Sequence, residues 1–358
     1  MLLGLSELAI ELLLAGVAGG MLGAALGALP ALSLAGVVIS IGEVANVMLG
    51  LVGGDAGEAE VFGVDPAALE AVGITGAVGF GPVLGPHVAF AGGVAAAAYV
   101  GRQETFDTTF RYHQAKQITK PLGSKPDVLL VGGAFGLFGV LVARLSAGVG
   151  LPVDPVMFAI VVSGVVHRLS FGYPLVGRVR GLQRSVLDMS PFERDERWGE
   201  AENETTQGTG GRHVVEPWLP GHYDWLGVSV LGAGVGIASG YIAMVTGSVF
   251  LAFGLSAGSL LFLALGLYDL PVTHHMALPA SIAALAWANA EPILGLLLAG
   301  VFGVIGALSG ELAQRALYAH ADTHLDPPAV SIVLTSLLLV LLATAGVLEP
   351  EFIPYPEI

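Results

Sequence analysis

Two histidine-bearing segments hold the residue types best suited to chemistry in this apolar chain. The first, GFGPVLGPHVAF, sets Gly81, Pro82, Gly85 and Pro86 immediately before His87. The second runs from Asp269 through Leu270 and Pro271 to His274 and His275, with Pro279 one turn on. Glycine beside proline interrupts a helix, and proline suits the first turn of the helix that restarts. Half-helix ends in matching places of a duplicated membrane protein are where carriers bind solutes and ions, and a helix N-terminus favours an anion. An imidazole at such an end titrates near neutral pH and is suited to coupling movement to protons. The structural alternative is that the breaks only kink packed helices, each imidazole bonding a carbonyl freed by the kink.

Glu43, in SIGEVANVML, is the other acid placed inside an apolar run, with Asn46 on a similar face. A carboxylate in lipid is costly to keep, so it reads either as a cation or proton site or, the preferred reading, as a polar contact to a neighbouring helix. Asp154-Pro155 and Asp326-Pro327 read as capping Asp followed by Pro at the first helical position. His320, Asp322, His324 and Asp326 alternate metal-capable side chains without a zinc spacing, so no metal site is assigned. No Walker loop, Rossmann glycine pattern or nucleophile elbow is present, and no cofactor is expected. Enzyme activity is left open, with no paired nucleophile and base to favour it.

The elements that must position these residues are apolar runs long enough to cross a bilayer. They predict helices over 8–29, 31–51, 74–101, 128–147 and 155–171, then over 226–244, 247–267, 271–288, 292–314 and 327–347. The second set echoes the first. GAFGLFG from Gly133 answers GVFGVIG from Gly300, DPVMFAIVVSGVV from Asp154 answers DPPAVSIVLTSLL from Asp326, and HVA from His87 answers HMA from His275. Glycines in the fourth and ninth runs put small residues on one face, suited to close helix contact or to a subunit interface. Glu311 aligns with Arg144, but opposite orientation of the copies argues against a direct pair. Five crossings per copy turn the second upside down relative to the first. The expected fold is therefore an all-α polytopic membrane protein, about ten transmembrane helices as two five-helix inverted repeats. Its parts are a first membrane repeat over 1–172, a polar linker over 173–224 and a second repeat over 225–358.

Of 358 residues, 54% are hydrophobic and 12% charged, with mean hydropathy +0.78, too little polar surface for a soluble globule of this size. Glu7 and Glu11 stand where a signal peptide carries basic residues, so no cleavable signal is expected. Arg and Lys cluster between the third and fourth runs, between the fifth and sixth, and after the ninth. This places both termini outside and 102–127 and 173–224 in the cytoplasm. Arg144 and Arg168, near predicted helix ends, are expected to snorkel. Within the linker, RVRGLQRSVLDMSPF has the pattern of an interfacial helix, while GEAENETTQGTGG reads as disordered and its Asn203 sequon as cytoplasmic and unglycosylated. The net charge of −15 and only three lysines argue against nucleic acid and point to a halophilic source. With no cysteine there is no disulfide, thiolate chemistry or cysteine-ligated metal.

In composition and repeat plan the chain resembles uncharacterised multi-pass membrane proteins of halophilic archaea. A fainter likeness, over 100–172, is to an integral-membrane subunit of the tetrahydromethanopterin S-methyltransferase complex. There too a polar stretch leads into a glycine-rich helix, a Pro-containing turn like Gly150, Leu151 and Pro152, and an apolar helix like 158–164. That resemblance implies sodium pumping driven by methyl transfer beside cobamide-carrying partners. The second repeat and the acidic linker depart from it, and no sodium-ligand motif matches, so no functional residue is carried over. The function expected is a secondary carrier or ion-translocating protein for a small solute or ion. Its site lies at the repeat interface near His87 and His275, with His274, Glu43 and Asp269 as further candidates. The alternative is a non-catalytic membrane subunit or scaffold of a larger complex, including a homo-oligomer.

Overall fold

A computed structural model describes residues 10–53, 73–103, 112–179, 185–197, 212–288 and 291–355. Glu7, the acidic stretch 55–70, Arg111, Arg180, Arg184, the Asn203 sequon and Glu357 lie outside the described residues. Among the described residues the protein is all-α, its only sheet-like feature an isolated antiparallel bridge between Arg197 and His213. We label its long helices α1 (Ile10–Leu26), α2 (Ala28–Gly53), α3 (Ala91–Arg102), α4 (Pro126–Gly148), α5 (Pro155–Ser170), α6 (Trp225–Thr246), α7 (Leu251–Ala264), α8 (His274–Ala288), α9 (Pro292–Leu317) and α10 (Pro327–Thr344). Each falls on one of the predicted apolar runs. Five of them, α2, α4, α6, α9 and α10, are long and apolar enough to cross a membrane. α1, α5 and α7 are shorter apolar helices. Large apolar side chains such as Ile10, Leu226 and Ile293 face outward, as lipid permits and water discourages.

The helix starts follow from local chemistry. Asp154 Oδ1 accepts the Met157 N–H at 2.8 Å and Asp326 Oδ2 the Ala329 N–H at 2.9 Å, each ahead of a proline in the first turn. The first predicted interruption is present. A π-helical turn, Thr75–Gly79, gives way to a non-helical stretch, and the chain restarts at Pro86–Phe90, where extended Gly85 precedes Pro86. The second differs. The connection after α7 carries Asp269, Leu270 and Pro271, and α8 begins only at His274, with no half-helix directly before it. Pro279 sits inside α8 without breaking it. Its missing N–H would have met the His275 carbonyl, the group that instead approaches α9.

Packing within the two halves runs in parallel. α1 packs against α4 and α6 against α9, in both cases glycine on glycine: Gly20 on Gly132 and Gly136, then Gly236 and Gly232 on Gly303. A side chain at Gly139 would strike the His87 carbonyl, and one at Gly306 the His275 carbonyl, so the aligned residues make the same close approach in each half. Between halves, α2 crosses α7 antiparallel: Gly36 lies against Gly258, and Ser40, further along α2, against Gly254, earlier in α7. α5 likewise runs antiparallel to α10 and the residues before it, with Asp154 N–H donating to Ser336 Oγ at 3.0 Å and His167 Nε2 2.9 Å from Thr323 Oγ1.

Connections gather at two ends. At one end the Leu29 N–H donates to the Ile118 carbonyl, and the described linker residues Met189, Val214 and Val215 pack on Ala319 after α9. At the other, Thr75 and Ser248 meet at Glu43, and the Glu349 N–H donates to the Ala286 carbonyl. In the linker's RVRGLQRSVLDMSPF stretch, residues 180–184 lie outside the described residues, and the helical part seen is the single turn Ser190–Glu193. Arg168, expected to snorkel, is instead fully buried, because α5 ends against the α9–α10 connection rather than at a lipid face.

Candidate functional site

Between the two halves lies a cavity of about 680 Å³. Its walls are largely apolar: Leu29 and Leu32 of α2, Leu260 and Leu263 of α7, and Trp218 and Leu219 of the linker. It reaches the helix restarted after the first break and the start of α8, for Phe90, three residues past His87, and His274, the first residue of α8, both line it. His324 and Asp326, from the stretch that caps α10, complete a polar floor. Lys116, Gln117 and Thr119, from the α3–α4 connection, line it nearer the polar end.

The floor is built around a shared carboxylate. Asp326 Oδ2 caps α10 while its Oδ1 lies 3.1 Å from His324 Nε2. The other ring nitrogen of His324, Nδ1, is buried without a partner. His274 lies within the field of Asp326, its ring 5.7 Å edge-on to Phe253 and its own Nδ1 also unpartnered. Phe90 meets the His324 ring edge-on at 5.9 Å, and Tyr318 does so at 5.2 Å. Two imidazoles and a carboxylate thus sit in an aromatic setting where a solute's polar end finds hydrogen-bond partners and its apolar body finds a wall.

Above the floor an ionic network joins the α3–α4 connection, the linker and the α9–α10 connection. Lys116 Nζ is 2.7 Å from Glu216 Oε2, with both side chains fully buried. Arg212 bridges Glu216 at 2.5 Å and Asp322 at 2.7 Å. The Lys116 ammonium also lies 4.4 Å from the centre of the Tyr318 ring. Burial pushes the Lys116 amine down to about 8, against the pull of Glu216. Between pH 8 and its ordinary value of 10.5 the unfolded chain therefore binds a proton that the folded protein does not, so Lys116 makes stability rise with pH across that window. Below pH 8 the cost of holding the charged amine is constant. The expected gain is on the order of 1–3 kcal/mol. Melting the wild type and Lys116→Met in detergent from pH 7.5 to pH 10 measures it: the wild type should gain several degrees on the variant, and a constant difference would refute the assignment.

The other expected site residues go elsewhere. His87 and His275 do not line this cavity. His87 is buried in the first turn after the break, its ring against Gly85. His275 packs on Gly310, with the Trp218 ring 6.0 Å away. Adjacent residues on a helix point about 100° apart, so only one of His274 and His275 can face the cavity. Gly81 and Gly85 close the turn of the first break, the Gly85 N–H donating to the Gly81 carbonyl, while Pro82 backs against Gly19 of α1. Asp269 is exposed on the α7–α8 connection. Glu43 makes the polar contact preferred for it: the Thr75 hydroxyl donates to Oε1 at 2.6 Å and the Ser248 hydroxyl to Oε2 at 2.5 Å, with Asn46 Nδ2 at 3.4 Å. It ties α2 to the first half-helix and to the α6–α7 connection, at the far end from Lys116.

Sequence reasoning missed Lys116, Tyr318, His324 and Asp326 as neighbours. The alternation of His and Asp through 320–326 was the available signal, but its members diverge: Asp322 pairs with Arg212, His320 Nε2 lies 3.1 Å from the Val186 carbonyl, and only His324 and Asp326 face the cavity. Among the described residues no three metal-capable side chains converge.

The chain belongs to a family of unknown function, DUF7973, whose profile it matches over residues 2–356. Comparison with curated proteins and with solved structures gives no match.

Proposed function

We propose that this chain is a secondary carrier of ten membrane crossings, built as two inverted five-helix repeats. It moves a small amphipathic solute through the cavity between them. The observation that carries the reading is that cavity, which lies where the halves meet and is lined by Phe90 of the restarted first-half helix and by His274 at the start of α8. Inverted-repeat carriers bind at this place, and rocking one repeat against the other exposes the site to each side in turn. A scaffold has no need of a chamber floored by imidazoles whose Nδ1 atoms lack partners, which favours the carrier over the subunit reading.

Two further observations support the inverted arrangement. The repeat-equivalent pairs α2 with α7 and α5 with α10 cross antiparallel, as a twofold axis in the membrane plane requires. The connections also sort as ten crossings demand, with Lys116, Arg212 and Asp322 together at one end and Glu43, Ser248 and Glu349 at the other. The protein has no native cysteine, so single cysteines report topology directly. Ser124→Cys, exposed on the α3–α4 connection and outside the cavity lining, should react with a membrane-impermeant maleimide only from the cytoplasmic side and Glu349→Cys only from outside; labelling of both from one side would remove the ten-crossing plan.

Transport itself is tested in proteoliposomes on a solid-supported membrane. A panel of amino acids, aromatic and aliphatic carboxylates and nucleobases is applied with and without a pH gradient. A saturable current or uptake is expected for at least one amphipathic class. Silence across the panel, together with purification as part of a fixed assembly, would favour the subunit.

A further inference from the structure

Beside the main cavity, and separated from it by Trp218, Leu219 and Val272, lies a second chamber of about 10 Å³, lined by His222, His275 and Glu311. That is the space of about one water molecule. Glu311 is 3% exposed. Its Oε1 accepts from Arg315 Nε at 2.5 Å and from Gln314 Nε2 at 3.2 Å, while Oε2 has no hydrogen-bond partner. The terminal nitrogens of Arg315 donate instead to the Leu187 and Tyr223 carbonyls, and neither bonds Oε2. The Nδ1 atoms of His222 and His275 are likewise buried and unpartnered. Three buried polar atoms without partners, on residues that line a space for one water, point to a ligand, since a bare carboxylate oxygen in a protein interior costs several kcal/mol unless something donates to it.

We propose that this chamber is a proton site, in which one water bridges the Glu311 carboxylate and the imidazoles of His222 and His275, and Glu311 takes up and releases one proton through it. On uptake the water passes a proton to Oε2 and is replenished by a proton from an imidazolium or from bulk, so one carboxylate becomes one carboxylic acid. The charged and titratable groups around it are Arg315 on α9, His274 and His275 on α8, Asp224 at the start of α6, His222 and Tyr223 on the linker, and Asp269 acting on His222 from the α7–α8 connection. The His274 and His275 rings are 5.9 Å apart, so the chamber adjoins the cavity floor through neighbouring imidazoles. That proximity would couple proton binding to solute binding, a consequence that rests on the carrier reading; the proton site itself does not.

The test is pH-difference infrared spectroscopy on the full-length protein in detergent, without solute. A carboxylic acid band should appear as pH falls, shift in heavy water and be absent from Glu311→Gln. His222→Gln, on the linker and outside the helix packing, should move its midpoint by about one pH unit while leaving the band present. A titrating band that survives in Glu311→Gln, or one that follows sodium concentration at fixed pH, would overturn the proposal. Because the band is read without solute, it stands or falls separately from the transport currents.

Discussion

Arg168→Leu should destabilise the protein by about 3–5 kcal/mol, a large share of an ordinary folding stability of about 5–15 kcal/mol. The guanidinium at the end of α5 is fully buried and donates to four acceptors: Thr323 Oγ1 at 2.9 Å and the carbonyls of Leu175, Leu317 and Thr323 at 2.5, 2.6 and 3.1 Å. Leucine fills part of the volume but leaves those acceptors buried and bare, at about 1–3 kcal/mol each before relaxation. Arg168→Lys should fall between, since one ammonium cannot reach acceptors spread around a planar fork. Thermal unfolding followed by tryptophan fluorescence measures both variants. A leucine variant within about 1 kcal/mol of wild type would show that Arg168 does not clamp α5 to the α9–α10 connection.

The second large effect follows from the carrier proposal. His274→Gln should lower solute uptake at least about tenfold at unchanged melting temperature, since removing one hydrogen-bonding imidazole from a desolvated polar floor costs on the order of 1–3 kcal/mol of solute binding. Asp326→Asn should also lower uptake. Asn has one carbonyl oxygen where Asp326 uses two, so the α10 cap and the His324 imidazole would compete for it. His87→Gln, outside the cavity lining, should leave the apparent affinity within about twofold of wild type. A result in the opposite order, with His87 controlling affinity and His274 not, would move the site out of this cavity and into the break of the first half.

Much of the architecture is legible in the residues because its causes are local. An apolar run of some twenty residues makes a helix wherever backbone polar groups find no water. Asp-Pro starts a helix whatever surrounds it, and Gly85-Pro86 restarts one after a break. The glycines at 139 and 306 announce a close approach that the fold makes in both halves, against the carbonyls of the two aligned histidines. The break expected before His275 was legible only as far as its proline. Whether a half-helix precedes Pro271 depends on where α7 ends, and Gly266, at φ +99°, begins the turn that leads the chain away.

What the chain alone determined, then, is an all-helical protein with helices apolar enough to cross a membrane, with helix starts and one break in identifiable places. Only the tertiary structure decided that His274 rather than His275 faces the cavity, that Lys116 finds Glu216 a hundred residues on, that Arg168 turns inward, and that His324 and Asp326 join His274. The reason is physical. Helix formation is governed by neighbours within a turn or two, whereas the partner of a buried charge is whatever distant segment packing brings within hydrogen-bond reach, and no local pattern records that choice.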